Sequence, residues 1–167
     1  PILLLVLSTF ALLIGLWITY WLHSQYHLDI VVTPRSPASL ASAPWISVVV
    51  PARNEARNIR RCVQALLAQS YPNFEVIVVD DRSTDATAPI LAELLRSPEG
   101  ASRLRVIQGE GLPSGWAGKP HALVQGAAIA RGDWLCFVDA DTFAAPELLA
   151  SAYEKAQELG AHLFTVL

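Results

Sequence analysis

No methionine occurs anywhere in the sequence, and the chain opens on Pro1. It reads as a piece of a longer protein whose start lies upstream. The closing Phe164-Thr-Val-Leu167 reads as an interrupted strand and predicts a continuation downstream. Cysteine is almost absent. Cys62 and Cys136 lie far apart, with no C-x-x-C and no partnering histidine cluster, which favours two reduced thiols on apolar faces over a disulfide framework or a zinc site. Basic residues are in deficit, 12 Lys and Arg against 15 Asp and Glu for a net charge of −3, so no nucleic-acid partner is expected. No G-x-G-x-x-G follows the first apolar run of the soluble part and no Walker A sequence occurs, which argues against a dinucleotide-binding dehydrogenase.

Charge is missing altogether from residues 2–22, ILLLVLSTFALLIGLWITYWL. At ~1.5 Å per residue a helix of that length crosses a hydrocarbon core of ~30 Å. Trp17, Tyr20 and Trp21 sit where an aromatic belt would lie. A buried soluble helix seldom stays uncharged on every face for so long. A cleaved signal peptide fits poorly, because the first A-x-A after the run, Ala41-Ser-Ala43, is far downstream and precedes Pro44. The first cations after the run are Arg35, Arg53, Arg57, Arg60 and Arg61, which puts the following domain in the cytoplasm by the positive-inside rule. Residues 29–44, rich in Pro, Ser and Ala, read as a linker. The expected organisation is a transmembrane helix over 1–23, a linker over 24–44 and a soluble domain from 45 to 167.

From residue 45 strands and helices alternate. The strands expected are 46–50, 74–79, 104–107, 134–138 and 162–166. Helices are expected over 55–69, from Ser83 to about Arg96 with a hydroxyl cap, over 119–131, and from Pro146 onward. On the first helix Ile59, Cys62, Val63 and Leu66 share one face. Short apolar strands separated by amphipathic helices predict an α/β domain with a mostly parallel sheet covered on both faces. Ligands bind such sheets at the carboxyl ends of the strands.

Those ends carry the chemistry. Pro51-Ala-Arg-Asn-Glu55 follows the first strand, Asp80-Asp81 the second and Asp139-Ala-Asp141 the fourth. Five acids, Glu55, Asp80, Asp81, Asp139 and Asp141, are thus aimed at one rim. Like charges held together need a cation, and hard carboxylate oxygens suit Mg²⁺ or Mn²⁺ that keeps positions for water and phosphate. In an extended D-x-D, Asp139 and Asp141 face the same way and Ala140 the other. The Gly-rich loop 109–118 brings Lys119 to a helix start on the same rim, a place suited to phosphate.

These residues resemble the family 2 glycosyltransferases. The resemblance covers about residues 46–150 and rests on P-x-x-N-E (Pro51–Glu55), V-D-D-x-S-x-D (Val79–Asp85) and D-x-D (Asp139–Asp141) in this order. The segment LPSGWAGK is similar to the branch associated with hopanoid and carotenoid glycosylation. The resemblance implies a GT-A fold, a nucleotide-sugar donor and a bound Mg²⁺ or Mn²⁺. It sets Pro51 and Glu55 beside the nucleoside and makes Asp81 a base or ribose contact, with Asp80 in the same loop. Lys119 falls near the nucleotide, Asp139 at the ribose or metal, and Asp141 at the metal. Arg82 stands where the family usually has glycine. An acceptor half with a general-base carboxylate is expected beyond Leu167, so no catalytic base is named and the isolated piece is expected to be inactive. The anchor and the branch together imply a membrane-attached, inverting enzyme with a lipid or isoprenoid acceptor.

Three rival readings share parts of this pattern. A receiver domain places its Asp pair after the first strand and a lone Asp after the third. A nucleotidyltransferase carries a Gly-rich, Arg-containing loop where this chain has Pro51–Glu55. A third reading is a module that holds nucleotide and metal without turnover.

Overall fold

The computed structural model describes residues 42–163, together with Ile14, Gly15 and Trp17. The three isolated residues are helical and belong to a unit, Pro1–Val32, that is separate from Thr33–Leu167. The rest of the expected transmembrane helix lies outside the described residues, as do most of the linker and residues 164–167. Among the described residues no helix is long and apolar enough to cross a membrane.

The second unit is an α/β sandwich. In chain order it runs β1 (Ile46–Ala52), α1 (Ile59–Leu67), β2 (Phe74–Asp80), α2 (Thr87–Leu94), α3 (Pro98–Arg103), β3 (Leu104–Gln108), α4 (Gly118–Ala128), β4 (Trp134–Phe137) and α5 (Leu148–Glu158). The four strands form one sheet in the order β3-β2-β1-β4, and every pairing is parallel. The register sets Ala52 opposite Asp80 and Asp80 opposite Gln108, so three strands finish level.

Alternation within the apolar strands divides the core. Val48 and Val50 of β1 and Val76 and Val78 of β2 face Ile59, Leu66, Leu91 and Leu149 from α1, α2 and α5. Val49, Ile77 and Val79 face the other way, onto Ala122 of α4. Helix α4 sits close because Gly126 has no side chain. A Cβ there would stand 2.4 Å from Val49 Cγ1 and 3.1 Å from Val79 Cγ2.

Several expectations need correcting. β4 is not fully buried: among the described residues it is the edge of the sheet, and Leu135 and Phe137 on its α4 side are exposed. Its apolar run does not reveal that, among the described residues, the strand pairs on one side only. α2 starts at Thr87 and has no hydroxyl cap. Instead Asp85 takes the Thr87 N–H and hydroxyl with Oδ1 and the Ala56 N–H with Oδ2, while Ser83 and Thr84 serve another loop. The short α3, capped by Ser97 Oγ accepting from Gly100 N, was not anticipated. Of the expected strand 162–166, His162 and Leu163 form a bend and the remainder lies outside the described residues. The domain edge reaches into the expected linker, where Pro44 O accepts from Tyr71 Oη at 2.7 Å and Ala43 O from Asn73 Nδ2 at 2.7 Å.

Candidate functional site

The carboxyl ends of β1, β2 and β4 and the start of α4 enclose a cleft of about 430 Å³. Pro51, Arg53 and Glu55 reach it from β1 and its loop, Asp81 from β2, Gly118 and Lys119 from α4, and Asp139 and Asp141 from the segment after β4. Six of the seven residues singled out from the sequence therefore meet in one place. The seventh, Asp80, does not line the cleft. It is buried, with Oδ1 accepting from Ser83 N at 3.0 Å and Oδ2 from Gln108 Nε2 at 3.2 Å, and it shapes the loop from within.

Two loops, after β1 and after β2, form one wall of the cleft, and they are stitched together. Asn54 N donates to Ser83 Oγ at 3.0 Å, and Asn54 Oδ1 accepts from Thr84 N at 2.8 Å. Both loops contain a non-glycine residue in the left-handed region, Asn54 at φ 58° and Arg82 at φ 57°. Asparagine tolerates that conformation; arginine pays about 1 kcal/mol for it. What arginine gains is visible. Its Nε donates to Asp81 Oδ1 at 2.8 Å and its Nη2 stands 2.8 Å from the same oxygen, while Arg53 Nη1 lies 3.6 Å from Oδ2. Asp81 is thus a buried carboxylate held between two exposed guanidinium groups. Gly118 permits this, since a Cβ there would come within 2.9 Å of Asp81 Oδ2. Sequence reading missed Arg53 as a cleft residue. Its position two residues after Pro51, in a loop already singled out, was the available signal.

The D-x-D segment is held from below. Val138 N donates to Val49 O at 3.1 Å, extending the β4 ladder by one bond. Val138 and Ala140 are buried while Asp139 and Asp141 are exposed, so the expected alternation is present. Beneath the turn, the Cys62 thiol of α1 donates to Asp139 O at 3.5 Å. The Arg61 guanidinium lies 4.3 Å from the Phe143 ring centroid and braces the following loop. Further on, Gln69 Nε2 donates to Ala145 O at 2.7 Å and Gln69 Oε1 accepts from Leu149 N. Burial first, then the Asp141, Glu55 and Asp139 charges, push the Cys62 thiol up to about 11. It is a protonated donor and not a nucleophile.

Lys119 Nζ stands 2.7 Å from Asp139 Oδ1, so a cation already rests on the D-x-D pair. Among the described residues no group of three or more His, Cys, Asp or Glu is gathered to hold an ion. Two carboxylates do fit Mg²⁺ or Mn²⁺ that completes its shell with water and phosphate oxygens; they do not fit a closed zinc site. Beside them the loop 109–117 leads into α4. Glu110 N donates to Gln125 Oε1 at 2.8 Å, and the Trp116 ring packs edge-on against His121. Leu112 and Trp116 of this loop are exposed.

A parallel sheet with acidic loops at its carboxyl ends, a D-x-D after the fourth strand and a lysine at the facing helix defines the GT-A-like class of nucleotide-sugar-binding folds. The profile of "Glycosyl transferase family 2" matches residues 47–166, and the chain belongs to that family. It is 36% identical over 110 residues to the beta-monoglucosyldiacylglycerol synthase of Nostoc sp., covering 65% of this chain and 22% of that protein. Among solved structures it resembles Staphylococcus aureus TarS 1–349 in complex with UDP, with a TM-score of 0.56 and 34% identity over 68% of this chain and 32% of that one. It also resembles the mannosyltransferase PcManGT of Pyrobaculum calidifontis, solved with GDP-Man and Mn²⁺, with a TM-score of 0.63 and 29% identity over 84% of this chain and 39% of that one. The chain spans 22% to 35% of the length of such curated relatives.

Proposed function

We propose that this chain is the donor-binding part of a membrane-attached glycosyltransferase that moves a sugar from a nucleotide-sugar to a lipid or isoprenoid acceptor. The observation that carries the reading is the convergence of Asp81, Lys119, Asp139 and Asp141 on one cleft. The solved relatives named above bind UDP or GDP-Man with Mn²⁺, which suits a nucleoside diphosphate there. Pro51, Glu55 and the clamped Asp81 would hold the nucleoside. Lys119 and the first N–H groups of α4, which have no side-chain cap, would face the diphosphate. Asp139 and Asp141 would hold Mg²⁺ or Mn²⁺, which when bound neutralises charge on the departing diphosphate.

The transfer is a displacement at the anomeric carbon. The acceptor hydroxyl oxygen forms the new bond, and the bond to the diphosphate breaks with its electron pair leaving on the nucleoside diphosphate. The hydroxyl proton passes to a carboxylate beyond residue 167, and configuration inverts. In this reading the described residues bind, orient and offset charge, and no base is named among them.

The lipid acceptor rests on three features: the uncharged run 2–22, the LPSGWAGK likeness to the hopanoid and carotenoid branch, and the exposed Leu112 and Trp116 in the loop that precedes Lys119. A relative whose name describes a glucosylated diacylglycerol product is consistent with it. The active rim would then lie in the cytoplasm, where a cytoplasm-active reporter fused after residue 45 should work; activity from a periplasm-dependent reporter alone would overturn that topology.

Calorimetry with a panel of UDP- and GDP-sugars, in Mn²⁺ and in EDTA, tests the donor site. Binding should depend on metal, and Asp141→Ala should remove the metal-dependent part. Equal affinity in both conditions would refute the metal assignment. For the acceptor, labelled donor and membrane extract supplied to a completed protein should yield label in the lipid phase; label confined to water-soluble glycans would exclude it.

A further inference from the structure

We infer that Lys119 is an exchangeable counter-cation: it holds the D-x-D segment through Asp139 while the cleft is empty, and it cedes Asp139 to the divalent cation when the donor diphosphate arrives. The inference rests on the reading of the cleft as a donor and metal site, and adds an order of events to it.

The geometry sets Lys119 and a metal ion in competition for Asp139. At 2.7 Å its ammonium occupies Asp139 Oδ1, one of the oxygens a metal would need. A divalent ion and an ammonium cannot share that oxygen at bonding distance without strong repulsion. Asp141, the other carboxylate, is exposed, and with Asp139 Oδ2 it is what the ammonium leaves to a metal ion, beside a positive charge that repels it. Such an ion would have little hold on the protein alone.

The ion pair is also weak enough to break. Both side chains are more than half exposed, 58% for Lys119 and 54% for Asp139, and pairs of that kind contribute little because water and salt screen them. A diphosphate offers Lys119 a better partner in the same cleft, because α4 begins there with no side-chain cap and Pro120 contributes no N–H. Metal and nucleotide should therefore bind with positive coupling: each removes what impedes the other. In the empty cleft Lys119 limits mutual repulsion of Asp139 and Asp141 and keeps the segment in place.

The test titrates the whole chain with Mn²⁺ alone, with UDP or GDP alone, and with both, following free Mn²⁺ by its paramagnetic resonance signal. In wild type, nucleoside diphosphate should tighten Mn²⁺ binding at least about tenfold. Lys119→Gln should bind Mn²⁺ alone about threefold to tenfold more tightly than wild type, because the competing cation is gone, yet bind nucleoside diphosphate in Mn²⁺ about tenfold more weakly. Lys119→Arg, which keeps the charge, should restore the weak binding of Mn²⁺ alone. These opposite shifts would not follow from a structural role, which weakens both. If Lys119→Gln binds Mn²⁺ alone no better than wild type, while Asp141→Asn shows that the ion sits at the D-x-D, the exchange is overturned and the donor site stands. If nucleoside diphosphate brings no Mn²⁺ to wild type, both fall.

Discussion

Cys62 and Asp139 are joined by one hydrogen bond, from the buried thiol of α1 to the backbone carbonyl of the first D-x-D aspartate at 3.5 Å. The bond couples the hydrophobic core to the acidic rim. Cys62 belongs to the same face as Ile59, Val63 and Leu66, so the packing of α1 sets the height of the D-x-D turn.

The pH dependence of that thiol is testable. Burial and the neighbouring acids push it up to about 11, against about 8.5 in an unfolded chain. Between these values the folded state holds a proton that the unfolded state has lost, so stability should fall as pH rises from about 8.5 toward 11. Burial pushes Cys136 up to about 11 as well and adds in the same direction. Chemical unfolding at pH 7, 9 and 10 should show the decline, and Cys62→Ala should make it shallower. The native thiol should resist alkylation at pH 8; rapid labelling would contradict its burial.

Glu75 makes the opposite prediction. It lies at the amino end of β2, away from the cleft, and its carboxylate accepts from Arg131 N, Ser47 Oγ and Arg105 Nη1. Burial alone would raise its pKa, but the Arg131 N–H, the Ser47 hydroxyl and the Arg105 guanidinium outweigh it and hold the group below the usual carboxylate range. Its contribution is therefore present above the unfolded value of about 4.3 and is lost as pH falls through the lower folded value. Glu75→Gln should cost about 1–3 kcal/mol at pH 7 and flatten the acid limb of the stability curve, without changing metal-dependent donor affinity in calorimetry.

Arg82 trades backbone strain for the clamp on Asp81. Arg82→Gly should relieve about 1 kcal/mol of left-handed strain while releasing one side of the carboxylate. The expected outcome is a melting temperature near that of wild type with nucleotide affinity altered several-fold. Unchanged affinity in the same titration would mean that Asp81 needs no clamp.

Gly126 governs the seat of α4. In Gly126→Ala the new methyl would meet Val49 and Val79, neither of which has room to yield within the sheet. A loss of about 1–3 kcal/mol is expected, and donor binding should weaken because Lys119 rides on the same helix. Urea unfolding and calorimetry on the same sample check both parts.

Apart from the short α3, the order of strands and helices from residue 46 to about 158 is legible in the residues themselves, because β-branched runs and 3.6-residue periodicity report which faces are buried. So is the rim, because strand ends in a parallel sheet share one edge and Pro51, Glu55, Asp81, Asp139 and Asp141 each follow such an end. What the one-dimensional pattern leaves open is which neighbour each group finds. Asp80 and Asp81 are adjacent and chemically identical, yet Asp80 turns inward to Ser83 and Gln108 while Asp81 opens to the cleft. That choice depends on the positive φ of Arg82 and the missing Cβ of Gly118, which only the folded chain brings together. Likewise Phe137 lies in an apolar strand but is exposed, because burial depends on what covers a face as well as on its composition. Local periodicity sets the elements; contacts between residues 20 to 90 positions apart, such as Lys119 with Asp139 and Cys62 with Asp139, set the site.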